Sequence, residues 1–171
     1  MDFNFITDEK GRDSILNNVD YIIIMFFCST LLLLAVIDIK TYCLPDIITL
    51  PLLWVGLLFN IDGQWVSIKS AIYGAISGYL FLWFLYWLCR YTLNKEAIGY
   101  GDLKLTAAIG AWLGVEMIPL LMLMASLSGL FGFFMISVKR KSFPEFIAFG
   151  PYLCLSAIVL LGGGVGRDSI W

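Results

Sequence analysis

Six apolar runs separated by short polar connectors organise the chain, at about 21–37, 46–60, 70–89, 103–118, 119–138 and 146–165. A helix that crosses a bilayer needs about 20 residues, with a range of roughly 17–25, so the second and fourth runs are marginal. The second contains Pro51 and is bounded by Pro45, which predicts a kinked or tilted helix. The fourth carries Gly110 and Gly114 and is expected to insert at an angle or partly re-enter. The pattern predicts an all-α polytopic membrane protein, with about six transmembrane helices in one bundle. Residues 1–20 read as a polar N-terminal segment and 21–171 as the membrane domain.

Composition supports this reading. The apolar fraction is 60 %, above the roughly 45–50 % of soluble globular proteins. Charged residues are 14 % of the chain, against about 25 % in an ordinary domain. A water-soluble fold would have too few polar groups to cover its surface. The net charge of −2 argues against nucleic acid as a partner, because phosphate binding needs a basic patch. The first nineteen residues lack the basic start of a cleaved signal peptide, so the first apolar run is expected to remain as an anchor.

Orientation follows from the cations in the connectors. If the connectors after the first, third and fifth helices share a side, that side holds Lys40, Arg90, Lys95, Lys104, Lys139, Arg140 and Lys141. The other side holds Lys10, Arg12, Lys69 and Arg167. The richer side is assigned to the cytoplasm, with both termini outside. Gly74 with Gly78, and Gly110 with Gly114, form G-x-x-x-G spacings, which predict close packing of the third and fourth helices.

The candidate chemistry lies in two aspartates. Asp38 closes the run Leu31–Asp38, and Asp102 opens the fourth run within Gly99-Tyr100-Gly101-Asp102. A carboxylate at the edge of a membrane helix is costly to retain, which makes each a functional candidate. The bland reading of Asp102 is a helix N-cap after a flexible entry loop. The bland reading of Asp38 is a C-terminal charge leading into a turn, but an acidic group at a helix C-terminus opposes the macrodipole. Asp46 sits where a cap is wanted at the start of the second helix, so Asp46 is assigned to structure and Asp38 to function. The charge assignment puts Asp38 and Asp102 on one face, where they can meet across the bundle.

Other groups carry less. The chain has no histidine, so Ser29, Ser77, Ser126 and Ser128 cannot belong to a histidine-based serine triad. The scattered Cys28, Cys43, Cys89 and Cys154 form no C-x-x-C pair and read as small hydrophobes, with no metal site. Lys104 has two readings: it tunes Asp102 or holds a substrate group, or it snorkels to the interface. Glu96 reads as a solvated loop charge, and the Trp and Tyr residues around 79–91 as an interfacial belt and lipid-facing surface.

These residues resemble the type IV prepilin leader peptidases, a family of membrane aspartyl proteases. The resemblance rests on Ile37-Asp38 with Leu44-Pro45-Asp46, Leu50-Pro51-Leu52 with Gly56-Leu57, Gly99 to Leu105 with Gly110 to Gly114, and Phe149-Gly150-Pro151. These stretches run in order through most of the chain from about residue 30. The resemblance implies that Asp38 and Asp102 are the catalytic pair, with Gly99, Gly101 and Lys104 as motif or substrate support. It also implies a prepilin or pseudopilin precursor as substrate, cut at the cytoplasmic face after a glycine that precedes the mature hydrophobic helix. Two features depart from the family pattern: the chain lacks paired C-x-x-C motifs, and Ala97 stands where glycine is common. Whether the new N-terminus is methylated stays open, as does the oligomeric state.

Two carboxyls held close together do not both ionise cheaply and share a proton near neutrality. The ionised member can activate water while the protonated member polarises a peptide carbonyl, with no metal or organic cofactor. The alternative from another class is a small transporter or channel that uses the acids as a proton relay, although no inverted repeat is visible. A related G-x-G-D protease with a different substrate is a nearer rival.

Overall fold

A computed structural model describes residues 9–93, 99–140 and 148–162 of the chain. Six α-helices follow one another: α1 (Glu9–Thr41), α2 (Asp46–Phe59), α3 (Ile68–Leu93), α4 (Tyr100–Leu113), α5 (Ile118–Arg140) and α6 (Gly150–Gly162). A single 3-10 turn, Val115–Met117, joins α4 to α5. The protein is a helical polytopic membrane protein. Among the described residues, three stretches are long and apolar enough to cross a bilayer, Tyr21–Thr41, Ile68–Thr92 and Val115–Met135. The 14-residue α2 and α4 and the 13-residue α6 are shorter. At about 1.5 Å of rise per residue they fall short of a hydrocarbon layer about 30 Å thick.

Several boundaries differ from the apolar pattern for local reasons. Helix α1 begins at Glu9, well before the apolar run, because extending an existing helix adds a hydrogen bond for each residue ordered. It stops after Thr41, whose hydroxyl donates to the Ile37 carbonyl at 2.9 Å. Tyr42 then adopts a left-handed conformation (φ 51°) and donates its N–H to the Asp38 carbonyl at 2.8 Å. Glycine usually serves there, since a β-carbon is disfavoured at positive φ.

The fourth run does not continue as one helix to residue 118. Gly114 (φ 80°) ends α4, and its N–H donates to the Gly110 carbonyl at 2.9 Å. The remaining residues of that run form the 3-10 turn and the first residue of α5. The second helix does contain Pro51 and starts directly after Pro45.

Helix α4 is the core of the bundle. Its residues from Leu105 to Leu113 are buried without interruption, together with Asp102 and Leu103. A helix apolar on all sides has no solvent face, so it must be surrounded. Helices α2 and α3 pack along it, α6 touches it, and α6 also packs on α1 and α5. The α3–α4 contact is made backbone to backbone: a β-carbon at Gly74 would collide with the Gly110 carbonyl, and one at Gly110 with Gly74. This is the close approach that the glycine spacing predicts.

Two polar side chains lock α4 to its neighbours. Trp112 is fully buried and donates its indole N–H to the Leu52 carbonyl at 2.9 Å. Its ring lies where a β-carbon on Gly56 would stand, and it packs against Phe27, Phe59 and Trp65. Asn60 is also fully buried. Its amide donates to the carbonyls of Gly56 and Ala111, and its oxygen accepts from the N–H groups of Trp65 and Val66. One side chain thus satisfies the end of α2 and the connector to α3, as a buried polar group must.

Candidate active site

Three helix ends build the site. Asp38 lies in the last turn of α1, Asp102 is the third residue of α4, and Gly150 is the first residue of α6. Both carboxylates are buried, at 5 % and 7 % relative exposure, which separates them from the exposed Asp46. The N–H of Gly150 donates to Oδ2 of Asp38 at 3.1 Å. A β-carbon built on Gly150 would stand 2.6 Å from that same oxygen and 3.4 Å from Oδ1 of Asp102. The two acids therefore converge on one point, 64 residues apart in the chain and meeting across three helices.

The macrodipole argument explains how Asp38 is tolerated. Its carboxylate is misplaced at the C-terminal end of its own helix, but it faces the N-terminus of α6, where unpaired N–H groups carry partial positive charge. The neighbouring helix supplies what α1 withholds.

Asp102 is not an N-cap. Gly99 occupies that position, in an extended conformation and with no side-chain cap bond. The Asp102 N–H donates to the Gly99 carbonyl at 3.1 Å, and Thr106 donates its hydroxyl to the Asp102 carbonyl at 2.8 Å. Among the described residues, Oδ1 of Asp102 is a buried side-chain atom without a hydrogen-bond partner. Such an orphan is rare in a folded protein and needs an explanation in chemistry or an unseen partner. It points toward the space that a Gly150 side chain would fill.

The glycines of the motif have separate duties. A β-carbon on Gly101 would stand 2.8 Å from the β-carbon of Leu44, so its absence lets the start of α4 sit against the α1–α2 connector. At Gly99 the nearest atom would be Oδ2 of Asp102 at 3.6 Å, an ordinary contact, and its φ of −75° suits any residue. The need for Gly101 is steric; the structure places no comparable demand on Gly99.

Lys104 does not join the dyad. Its Nζ lies 2.6 Å from Oδ2 of Asp46, at the surface, so it ties the start of α2 to α4. Asp46 is likewise not the cap expected at α2: Pro45 holds that position, and Asp46 is the first helical residue. An acid there still complements the helix N-terminus, and here it also holds a lysine.

Tyr86 departs from the pattern of its run. The run predicts an interfacial belt and lipid-facing aromatics, and Trp83, Trp87 and Tyr91 are exposed, but Tyr86 is 1 % exposed. Its hydroxyl accepts from Nη1 of Arg90 at 2.6 Å and from the Tyr100 hydroxyl at 3.1 Å. Tyr100 is the first residue of α4, so this cluster anchors the helix that carries Asp102. The i, i+4 spacing of Tyr86 and Arg90 is the sequence signal that could have shown it. The four cysteines are free thiols, with Cys154 buried and Cys43 exposed. Glu96 and Ala97 lie outside the described residues, as do the side chains of Lys10, Arg12, Lys95, Lys139, Arg140, Lys141 and Arg167.

Residues 25–136 match the model of the type IV leader peptidase family. The chain belongs to that family. A prepilin leader peptidase/N-methyltransferase of Pectobacterium carotovorum subsp. carotovorum is 50 % identical over 135 residues, 78 % of this chain and 48 % of that protein. The protein of the same name from Aeromonas hydrophila is 48 % identical over 141 residues, 82 % of this chain and 48 % of its own. In Escherichia coli K12 a further one is 45 % identical over 140 residues, 81 % of this chain and 61 % of its own. The chain thus spans about half the length of the curated relatives it matches. No solved structure matches it.

Proposed function

We propose that this chain is a membrane-embedded aspartyl endopeptidase that removes the leader peptide of type IV prepilin or pseudopilin precursors. The observation that carries the proposal is the convergence of Asp38 Oδ2 and Asp102 Oδ1 on the space that a Gly150 β-carbon would occupy. Family membership and the names of the relatives supply the substrate class. They give no support to the transporter alternative, and neither acid leads to a further buried acid among the described residues.

In this mechanism the two carboxyls share one proton, because two negative charges so close in a dry site repel strongly. The ionised member takes a proton from a water molecule held between them. The protonated member donates to the scissile carbonyl oxygen, so that attack gives a neutral gem-diol. The carboxyl that took the water proton then passes it to the departing amine while a gem-diol hydroxyl gives its proton to the other carboxylate, which breaks the C–N bond and leaves the pair with one proton again. The site works as a unit, and neither acid has a separate titration to assign. Family membership and the apolar helices support a bacterial inner-membrane placement, and the cation distribution favours the dyad at the cytoplasmic face with both termini outside.

The test is to incubate membranes containing the protein with a prepilin and to read the product by mass spectrometry. Cleavage after the leader glycine is expected, and it should vanish with Asp38→Asn and with Asp102→Asn while both variants still accumulate in the membrane. Near-normal processing by either variant would sink the proposal. The same spectrum reports whether the new N-terminus is methylated, the other half of the relatives' name.

A further inference from the structure

The stretch Phe149-Gly150-Pro151 has no role in the chemistry described so far, yet it opens α6 at the point where the acids meet. We infer that Gly150 is a positioning residue for the dyad: its N–H fixes the Asp38 carboxylate, and its lack of a side chain keeps open the space between the two acids. The inference rests on the peptidase reading above.

Three observations carry it. First, the Gly150 N–H to Asp38 Oδ2 bond joins residues 112 apart in sequence and is buried. The amide nitrogen of the first residue in a helix has no intrahelical partner, so it is free to hold an anion. Held there, one oxygen of Asp38 is aimed while the other stays available.

Second, the space is real only because position 150 is glycine. A methyl group would sit 2.6 Å from Oδ2 and 3.1 Å from Cγ of Asp38, distances at which something must move. It would also touch Oδ1 of Asp102 at 3.4 Å, covering the buried oxygen that has no partner. A water molecule that bridges the acids needs that volume and that oxygen.

Third, the φ of this residue does not ask for glycine. Gly150 is an ordinary helical residue, absent from the positive-φ positions, where Gly63 and Gly114 are the glycines among the described residues. Pro151 disfavours a β-carbon on the helical residue before it, and the collision with Asp38 is a separate demand that the site makes.

The experiment compares the full chain with Gly150→Ala and, as a control, Gly129→Ala on α5, whose methyl would meet Phe149 and Tyr152 at an ordinary 3.7 Å. Gly150→Ala is expected to lower kcat for prepilin cleavage about 100-fold, as displacements of catalytic groups by about an ångström do, with KM little changed. The pH profile of its residual activity should shift, because the geometry of the pair is altered, whereas a simple loss of folded protein lowers the rate equally at every pH. Cleavage within about threefold of the parent, or a uniform loss with an unmoved profile, overturns the inference.

A second measurement covers the case in which Gly150→Ala is too unstable to assay. The thermal stability lost on Gly150→Ala should be largely recovered in an Asp38→Ala background, because the colliding carboxylate is gone. Additive losses in that double-mutant cycle would overturn the inference. Asp38→Asn and Asp102→Asn in the same assay keep the two readings apart. If they cleave normally the peptidase reading fails; if they are inactive and Gly150→Ala is normal, only the role of Gly150 fails.

Discussion

Lys104 reaches Asp46, 2.6 Å from Nζ to Oδ2, and not Asp102, although Asp102 lies only two residues away in the same helix. Residues two apart on a helix do not face each other, so the side chains of α4 diverge. The dyad is kept free of a positive neighbour on its own helix, and the lysine serves as a strap between α2 and α4.

The strap is at the surface, with side-chain exposures of 33 % and 54 %, so its contribution is small. Lys104→Ala and Asp46→Asn should each cost no more than about 1 kcal/mol of stability. Prepilin cleavage should stay within a few-fold of the parent. Thermal unfolding in detergent and a cleavage time course check both. Loss of cleavage on Lys104→Ala alone would restore a catalytic part for the lysine.

Asp102→Asn should separate activity from stability. Among the described residues Oδ1 of Asp102 is buried without a hydrogen-bond partner, and a charge in that position is expensive to hold. The neutral amide of asparagine removes that cost while keeping the shape. The variant is expected to lose cleavage and to melt at the same temperature as the parent or a higher one. A clear drop in melting temperature would count against a carboxylate oxygen held for chemistry rather than for stability.

Tyr86→Phe removes the hydroxyl that links Arg90 to Tyr100 and leaves the ring packed in place. A buried hydrogen bond of this kind contributes about 1 kcal/mol, with a further cost if the guanidinium loses a partner. The first turn of α4 should loosen, raising hydrogen exchange at the amides around Asp102 and lowering cleavage several-fold. Tyr91→Phe, on an exposed side chain of the same helix, should change neither.

Gly110→Ala should be far more damaging than its size implies. The new methyl would meet the backbone of Gly74, which cannot rotate away as a side chain can. Such overpacking commonly costs about 1–3 kcal/mol and more where backbone must shift. Poor accumulation in membranes is expected for Gly110→Ala and for Gly74→Ala, with Gly129→Ala accumulating normally. Equal levels of all three would mean that α3 and α4 can separate at little cost.

Trp112→Phe keeps an aromatic ring in the core but leaves the Leu52 carbonyl without its indole donor. Leu52 lies within α2, so its carbonyl keeps its place in the helix, and loss of the buried indole bond costs about 1 kcal/mol. The variant should melt below the parent yet cleave normally once folded, because the dyad lies at the opposite end of α4 from Trp112.

The sequence by itself determined the class of this protein and its chemical candidates. Apolar runs too long and too poor in charge for a soluble fold specified membrane helices, and glycine spacing specified which two would touch. Asp38 stood out because a carboxylate at a helix C-terminus is unfavourable locally, and local rules are readable from one chain segment at a time. What the tertiary structure decided is how those local costs are met. The N-terminus of α6, 112 residues from Asp38, accommodates its charge. Lys104 turns to Asp46 instead of Asp102, and Tyr86 is withdrawn from a lipid-facing stripe into a hydrogen-bonded cluster. None of these could be read from periodicity, because each depends on which helix ends share one corner of the bundle. Two expensive carboxylates are visible in the sequence; only packing brings them, with Gly150 between them, to a single point in space.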